Sequence, residues 1–430
     1  MAKDNLLGKW TSTALVVGNM IGAGVFMMPA LLAAYGGISI LGWILSTAGA
    51  LALAFLFKRF THFFPGVKGG PYGFVREGMG DFSGFLVAWS YWISVWVTVA
   101  ALAAALISYL SFIFPQISSS PIYSIGFSIA FIWLLTFYNF LGSGRVGVLA
   151  VITTVLKILP LILVGVCGLF FIDMDNFVPF NRAEASPWKV IIITTTLTFF
   201  SFLGIESATV PGSDVENPEK TVSFATLWGT IIASVIYIIS SMSVLGLIPG
   251  EQLVSSQAPF SAAAEFMWGS GTGVAITLGA IVSVFGALNG WILIQGQMAL
   301  ALAKDDRFPK SIKKLNKYGS PVNGLILSSV LASVLMIMRY SGGLLDVFEF
   351  MILVSTVLVL FPYILCAISF YYTKKKNKSP ISGLGFMLIF ITILFCIVAL
   401  AGSGWDAFIW GSVFLLTGVP AYFIFKRINA

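Results

Sequence analysis

Two ionisable residues stand where charge is expensive. Glu206 lies in the stretch Phe199-Phe200-Ser201-Phe202-Leu203-Gly204-Ile205-Glu206-Ser207-Ala208, and Lys157 in Thr153-Thr154-Val155-Leu156-Lys157-Ile158-Leu159-Pro160, each deep inside an apolar run. A charge kept within lipid is a candidate for function. Glu206 suits the loading and release of a proton; a structural hydrogen bond that holds a broken helix is the plainer role, and the two are compatible. Lys157 suits bridging unpaired backbone carbonyls in the place of a bound cation, with proton cycling a further use. A fixed ion pair or a snorkelling ammonium is the plainer role here, although depth within the run argues against snorkelling.

The backbone around these charges is irregular. The first apolar run reads Gly18-Asn19-Met20-Ile21-Gly22-Ala23-Gly24-Val25-Phe26, with Pro29 following, and the Glu206 run is followed by Pro211-Gly212. Glycine frees the backbone from helical geometry. In hydrocarbon, freed N–H and C=O groups survive only where protein or a cavity covers them. Gly18-x-x-x-Gly22 alone would also serve tight helix packing. Two breaks at matching places, five spans apart, point instead to a transporter with inverted repeats, binding its solute at mid-membrane. The half-helix after each break offers N–H groups to a carboxylate, and unwound carbonyls offer acceptors to an ammonium. Tyr91, Phe199, Phe200, Phe202, Trp291 and Tyr363 are aromatics that could close such a cavity. Trp291 has the best context, after the small, polar-tinged Gly286-Ala287-Leu288-Asn289-Gly290.

The elements that must hold these groups follow from composition. Of 430 residues, 58% are apolar and only 10% charged, against about 25% charged in soluble domains. A soluble fold and a disordered chain are both excluded. Apolar runs of about 20 residues cross a bilayer as helices. Twelve are expected, at 10–35, 39–58, 82–112, 121–142, 146–172, 188–212, 222–249, 273–303, 321–338, 343–372, 382–402 and 405–425. The first run lacks a small-residue cleavage site and reads as a retained helix. With the N-terminus inside, cytoplasmic segments hold 20 of the 24 Lys and Arg residues, Lys3, Lys68 and Arg145 among them. The far side holds Arg182, Lys189 and Arg339. That bias sets the orientation and accounts for the net charge of +7 as topology, aided by anionic lipid, rather than as nucleic-acid binding. Cys167, Cys366 and Cys396 sit in apolar runs without metal-ligand spacing, and one histidine, His62, cannot build a metal site. No cofactor or metal is expected. A channel would need a continuous polar lining, and an enzyme a nucleophile–base or metal set.

Asn19 to Phe26 followed by Pro29 resembles the first-helix motif of the amino acid–polyamine–organocation (APC) superfamily. Ser201 to Ala208, followed by Glu216-Asn217-Pro218-Glu219-Lys220, resembles its sixth-helix motif. Asn289-Gly290-Trp291, Gln295-Gly296-Gln297 and Ala303-Lys304-Asp305-Asp306-Arg307-Phe308-Pro309 are similar to helix 8 and its cytoplasmic exit, and Gly319-Ser320-Pro321 to the approach to helix 9. Within the superfamily the chain is most similar to the basic amino acid/polyamine antiporters, nearest the arginine/agmatine type. The resemblance implies an all-α integral membrane protein with a LeuT-like 5+5 inverted repeat (10–172 and 188–372), discontinuous helices 1 and 6, and two further helices (382–425), all in one membrane domain. It implies that Ala23 and Gly24 bind the substrate carboxylate, and that Ser201 and Leu203 receive its amino group. Phe200 would be the proximal gate, Trp291 the middle gate, and Tyr91 and Tyr363 the distal gate. Glu206 would couple release to protons, and Ser94, Val95, Val99, Leu102 and Ser355 would surround the end of the side chain. Arginine-type members carry asparagine where this chain has Val99 and tryptophan where it has Phe200, and they lack Lys157. An unpaired guanidinium is penalised, so a neutral side chain is expected. Lys157 is closer to proton-coupled permeases and neutral exchangers of the superfamily.

The expectation is an inner-membrane secondary transporter that exchanges amino acids by alternating access, a decarboxylated amine being one counter-substrate. Proton symport and arginine/agmatine- or polyamine-type antiport are the alternatives. Its partners are the small-molecule substrate and the bilayer, with a homodimer one of the assemblies the resemblance allows.

Overall fold

The computed structural model describes residues 8–64, 67, 70–209, 216–339 and 343–429, with the side chains of 143–152, 154–155, 208 and 429 outside that description. Lys3, Lys68, the Arg145 side chain and the expected Pro211-Gly212 break therefore lie outside it. The described residues form helices and no strand. In order these are α1 (Lys9–Met20), α2 (Ala23–Ala33), α3 (Ser39–Phe63), α4 (Pro71–Met79), α5 (Asp81–Ile113), α6 (Pro121–Asn139), α7 (Ser143–Gly168), α8 (Pro187–Phe199), α9 (Pro218–Leu247), α10 (Gly250–Val254), α11 (Pro259–Trp268), α12 (Thr272–Lys304), α13 (Val322–Arg339), α14 (Leu344–Lys376), α15 (Gly383–Ala401), α16 (Trp405–Leu416) and α17 (Gly418–Asn429).

Among the described residues ten helical segments are long and apolar enough to cross a membrane, and the pair α1/α2, bent by 41°, makes eleven. The expected fifth span falls on α7 and the 3-10 turn that follows it, where Leu156–Phe171 is an apolar helical stretch. The last span divides between α16 and α17. The short helices α4, α10 and α11 lie between spans, where an apolar-run reading has no signal for them.

Span depth in the bundle is uneven. The apolar window of α5 is 94% buried, whereas those of α15 and of α16 with α17 are 28% and 22% buried. So α5 is the central post and the last three helices are peripheral. The neighbour pattern is reciprocal: α3 packs on α8 as α9 packs on α1, α5 on α14 as α12 on α7, and α5 on α6 as α12 on α13, while α3 meets α9 and α5 meets α12. With lipid outside, association rests on close packing and internal hydrogen bonds. Gly42 leaves room for Thr194 and Gly229 for Val16. Trp43 Nε1 donates to Ser241 Oγ (2.9 Å), Trp92 Nε1 to Ser328 Oγ (3.0 Å) and Asn139 Nδ2 to Asn289 Oδ1 (3.0 Å). Hydroxyls within α8 return to their own helix, as Thr195 does to the Ile191 carbonyl (2.7 Å), which leaves no orphan donor against hydrocarbon.

Candidate functional site

The first break is at Ile21–Gly22. Ile21 N–H still donates to the Val17 carbonyl (2.9 Å), but Ile21 is extended (φ −74°, ψ 97°) and Gly22 leaves helical geometry (φ −130°, ψ −145°). The chain then restarts as α2, whose first N–H groups, from Ala23 onward, have no helical acceptor. The second break follows α8. Phe200–Phe202 form one 3-10 turn, Leu203 is extended, Gly204 is left-handed (φ 101°, ψ 0°), and Ile205–Ala208 form another 3-10 turn.

The two breaks face one another. A Cβ at Gly24 would come within 2.7 Å of Ser201 Oγ and 3.2 Å of the Phe200 ring. One at Gly204 would lie 3.2 Å from Asn19 Cβ and 3.3 Å from the Asn19 carbonyl carbon. Glycine is thus required at position 204, and at position 24 it leaves room for the Ser201 hydroxyl. The second break is held from behind: Tyr237 Oη donates to the Ser201 carbonyl (2.9 Å), and Phe202 is packed between Trp43 and Tyr237. Ser201 Oγ is buried and has no hydrogen-bond partner among the described residues.

Between the breaks lies a cavity of about 10 Å³ lined by Asn19, Met20, Gly22, Ala23, Gly24, Thr98, Leu102, Phe200, Ser201, Leu203 and Trp291, room for about one water. Of the expected substrate residues, Ala23, Gly24, Leu102, Phe200, Ser201, Leu203 and Trp291 are brought together here. Ser94, Val95, Val99 and Ser355 are buried nearby but do not line it. Ser94 Oγ returns to the Tyr91 carbonyl (2.7 Å), and Ser355 Oγ pairs with Thr98 Oγ1 (2.8 Å) and reaches the Ser94 carbonyl (3.2 Å). These hydroxyls stitch α5 to α14. Thr98 and Asn19 are the polar residues that the sequence reading missed at the wall. Thr98 was within reach of it, four residues from Leu102 and so on the same helical face.

Two clusters flank the cavity. On one side, Phe200 meets Phe348 of α14 edge-on, centroids 6.1 Å apart. On the other, Glu206 is 1% exposed and takes a phenol on each carboxylate oxygen: Tyr91 Oη donates to Oε1 (2.6 Å) and Tyr363 Oη to Oε2 (2.7 Å). The carboxylate so joins α5, α14 and the second break. Lys157, 3% exposed, donates from Nζ to the Gly18 carbonyl. That carbonyl's helical donor would be the N–H of Gly22, which lies beyond the end of α1. The ammonium therefore fills the role that continuation of the helix would have filled. No ionised side chain lines the cavity itself.

A helical bundle with two opposed breaks around a cavity, one holding an intramembrane acid and the other engaged by an intramembrane lysine, is the architecture of a membrane transporter. A family model described as amino acid permease matches residues 7–421, and the chain belongs to that family. Similar proteins include the cadaverine/lysine antiporter of Escherichia coli strain K12, 30% identical over 409 residues that cover 94% of this chain and 91% of the relative. The putrescine transporter PotE of Haemophilus influenzae is 31% identical over 424 residues, 98% and 97% of the two chains. The putrescine transporter PotE of Escherichia coli strain K12 is 30% identical over 425 residues, 98% and 96%. The chain is thus a multi-pass membrane transporter of a small amine or amino acid, not an enzyme.

Proposed function

We propose that this permease exchanges amino acids by alternating access, with a neutral rather than a cationic side chain on its substrate. It would span the inner membrane twelve times, as two inverted five-helix repeats and two peripheral helices, with both termini cytoplasmic. The reciprocal neighbour pattern of α1–α14 supports the repeats, and the Lys/Arg bias supports the orientation. The observation that carries the substrate reading is the cavity wall. Ala23 and Gly24, at the N-terminus of α2, line the cavity together with Ser201, whose hydroxyl has no partner among the described residues, and no acid among those residues lines it to balance a second positive charge. A substrate carboxylate would sit on the α2 N-terminus, and its ammonium near Ser201 and Leu203. Its side chain would lie against Thr98 and Leu102, under Phe200 and Trp291. Glu206 and Lys157 would carry the pH dependence.

Counterflow in proteoliposomes tests this. Vesicles preloaded with one neutral amino acid should take up the same labelled compound, and an excess of lysine, cadaverine or putrescine should not compete. A second reading, exchange of lysine or a diamine, is favoured by the substrates named for the relatives. Competition by those three compounds and none by neutral amino acids would establish it instead. Uptake into unloaded vesicles driven by a pH gradient would replace exchange with proton symport, and transport of no amino acid or diamine under any regime would remove both readings.

A further inference from the structure

A second cavity is far larger than the one between the breaks. It has a volume of about 870 Å³ and opens at the Lys/Arg-rich face, among α1, α3, α9, α14 and α15. Five side chains that carry a positive charge converge on it: Lys9, Lys58, Arg59, Lys220 and Lys374. The one acid in its wall, Glu219, is engaged by His62 Nδ1 (2.7 Å). Two of the cations lie along aromatic walls rather than reaching for carboxylates, Lys374 Nζ 4.4 Å from the Phe63 ring centre and Lys9 Nζ 5.8 Å from that of Phe224. Lys58, Arg59 and Lys220 have no acidic partner among the described residues.

Below the cations the wall turns apolar. Phe55 is 43% exposed, Trp228 45% and Leu384 58%. Phe55 precedes Lys58 by three residues on a helix that ends at this face, and Trp228 follows Lys220 by eight on a helix that begins there. At about 1.5 Å per residue the two rings therefore lie roughly 5 and 12 Å deeper than the nearby cations. A soluble anion would use the positive charges and leave those rings against lipid. An amphiphile with a phosphate head and acyl tails uses both, at the depths where a bilayer places them.

We infer that this groove is a binding site for an anionic glycerophospholipid, its phosphate held by Lys58, Arg59 and Lys220 and an acyl chain lying on Phe55 and Trp228. The site is separate from the transport cavity and does not rest on the substrate reading.

The test is native mass spectrometry of the full chain released from micelles doped with equal amounts of dioleoyl-phosphatidylglycerol and dioleoyl-phosphatidylcholine. The wild type should retain phosphatidylglycerol selectively. K58Q/R59Q should lower that retention by about thirtyfold, at about 1 kcal/mol for each charge removed. K310Q, which removes a basic residue of the same face outside the groove, should change nothing. Trp228→Ser should weaken lipid retention but not the binding of inorganic phosphate. Arg59→Lys, which keeps the charge, should hold retention near wild type and shows whether loss in the double variant is one of charge or of folding. Equal retention of the two lipids, an unchanged double variant, or tight binding of inorganic phosphate without lipid selectivity would each overturn the proposal.

Discussion

Glu206 and Lys157 satisfy opposite faults of the same two breaks. Glu206 gathers two phenols at 2.6 and 2.7 Å, and Lys157 supplies a donor to a carbonyl that the first break strips of one. Glu206→Gln leaves one acceptor oxygen where there were two, so one buried phenol loses its partner, at about 1–3 kcal/mol. Exchange by this variant should lose its dependence on pH across the mildly acid to neutral range; a wild-type pH profile would remove Glu206 from coupling. Lys157→Met keeps the side chain's length and removes its donor. The orphaned Gly18 carbonyl should again cost about 1–3 kcal/mol, read as a lower unfolding temperature, together with an altered pH profile. Unchanged pH dependence would reduce Lys157 to a structural prop. Both residues were legible in the sequence, because charge is rare where everything else is apolar. The carbonyl partner of Lys157 was legible too, in the broken first helix, but the phenols on Glu206 were not: Tyr91 and Tyr363 lie 115 and 157 residues from it, and the family resemblance marked them as a distal gate without joining them to the carboxylate. Val99 and Ser355 were placed at the substrate by the family resemblance; neither lines the small cavity, and Ser355 is bonded to Thr98, which does.

The breaks are set by where backbones must touch. Gly204 has φ 101°, and a Cβ there would press on the Asn19 main chain. Gly204→Ala should therefore cost about 1–3 kcal/mol and spread the breaks apart, lowering substrate affinity more than it lowers expression. Wild-type affinity in a folded G204A protein would contradict the facing-break geometry. These breaks were legible because glycine and polar residues cluster where a lipid-facing helix has no use for them. The short helix α4 was not, since it is too short and too mixed to show as a span. It is tied down at the Lys/Arg-rich face: Tyr72 Oη donates to Asp305 Oδ2, Arg76 Nη1 reaches the same oxygen (3.1 Å), and Arg76 Nε donates to Asp81 (2.7 Å). Burial first, and then the bond to Asp305, hold the Tyr72 phenol well above its usual range, so this tie is complete below the ordinary tyrosine pKa of about 10 and is lost only as pH rises through the raised folded-state value. Beneath α4, Cys366 is buried with its Sγ 3.8 Å from the Pro71 carbonyl. Tyr72→Phe breaks a charge-assisted bond and should speed labelling of Cys366 by a water-soluble maleimide about tenfold in a Cys167→Ser background. Labelling at the parent rate would show that α4 is not a latch.

At the scale of the molecule, two clusters of different chemistry would act as the gates of the proposed carrier: the aromatic packing of Phe200 on Phe348, and the Glu206 carboxylate with its two phenols. A space of about 10 Å³ cannot admit an amino acid unless α2 and the second break move apart, so loading and closure are one coupled event. Opening without substrate must break the buried carboxylate's hydrogen bonds with nothing gained in return. On the proposed reading, opening with substrate would exchange those contacts for new ones at Ala23, Gly24 and Ser201. A ligand shifts such an equilibrium only by its differential affinity for the two states, so reorientation of the loaded carrier should be faster than that of the unloaded one. Efflux of labelled substrate from preloaded proteoliposomes should then be slow into plain buffer and rise about tenfold or more when the transported amino acid is supplied outside at saturation. Equal efflux with and without external substrate would mean that the unloaded carrier turns over freely, and the cavity would then belong to a uniporter or symporter rather than to an exchanger.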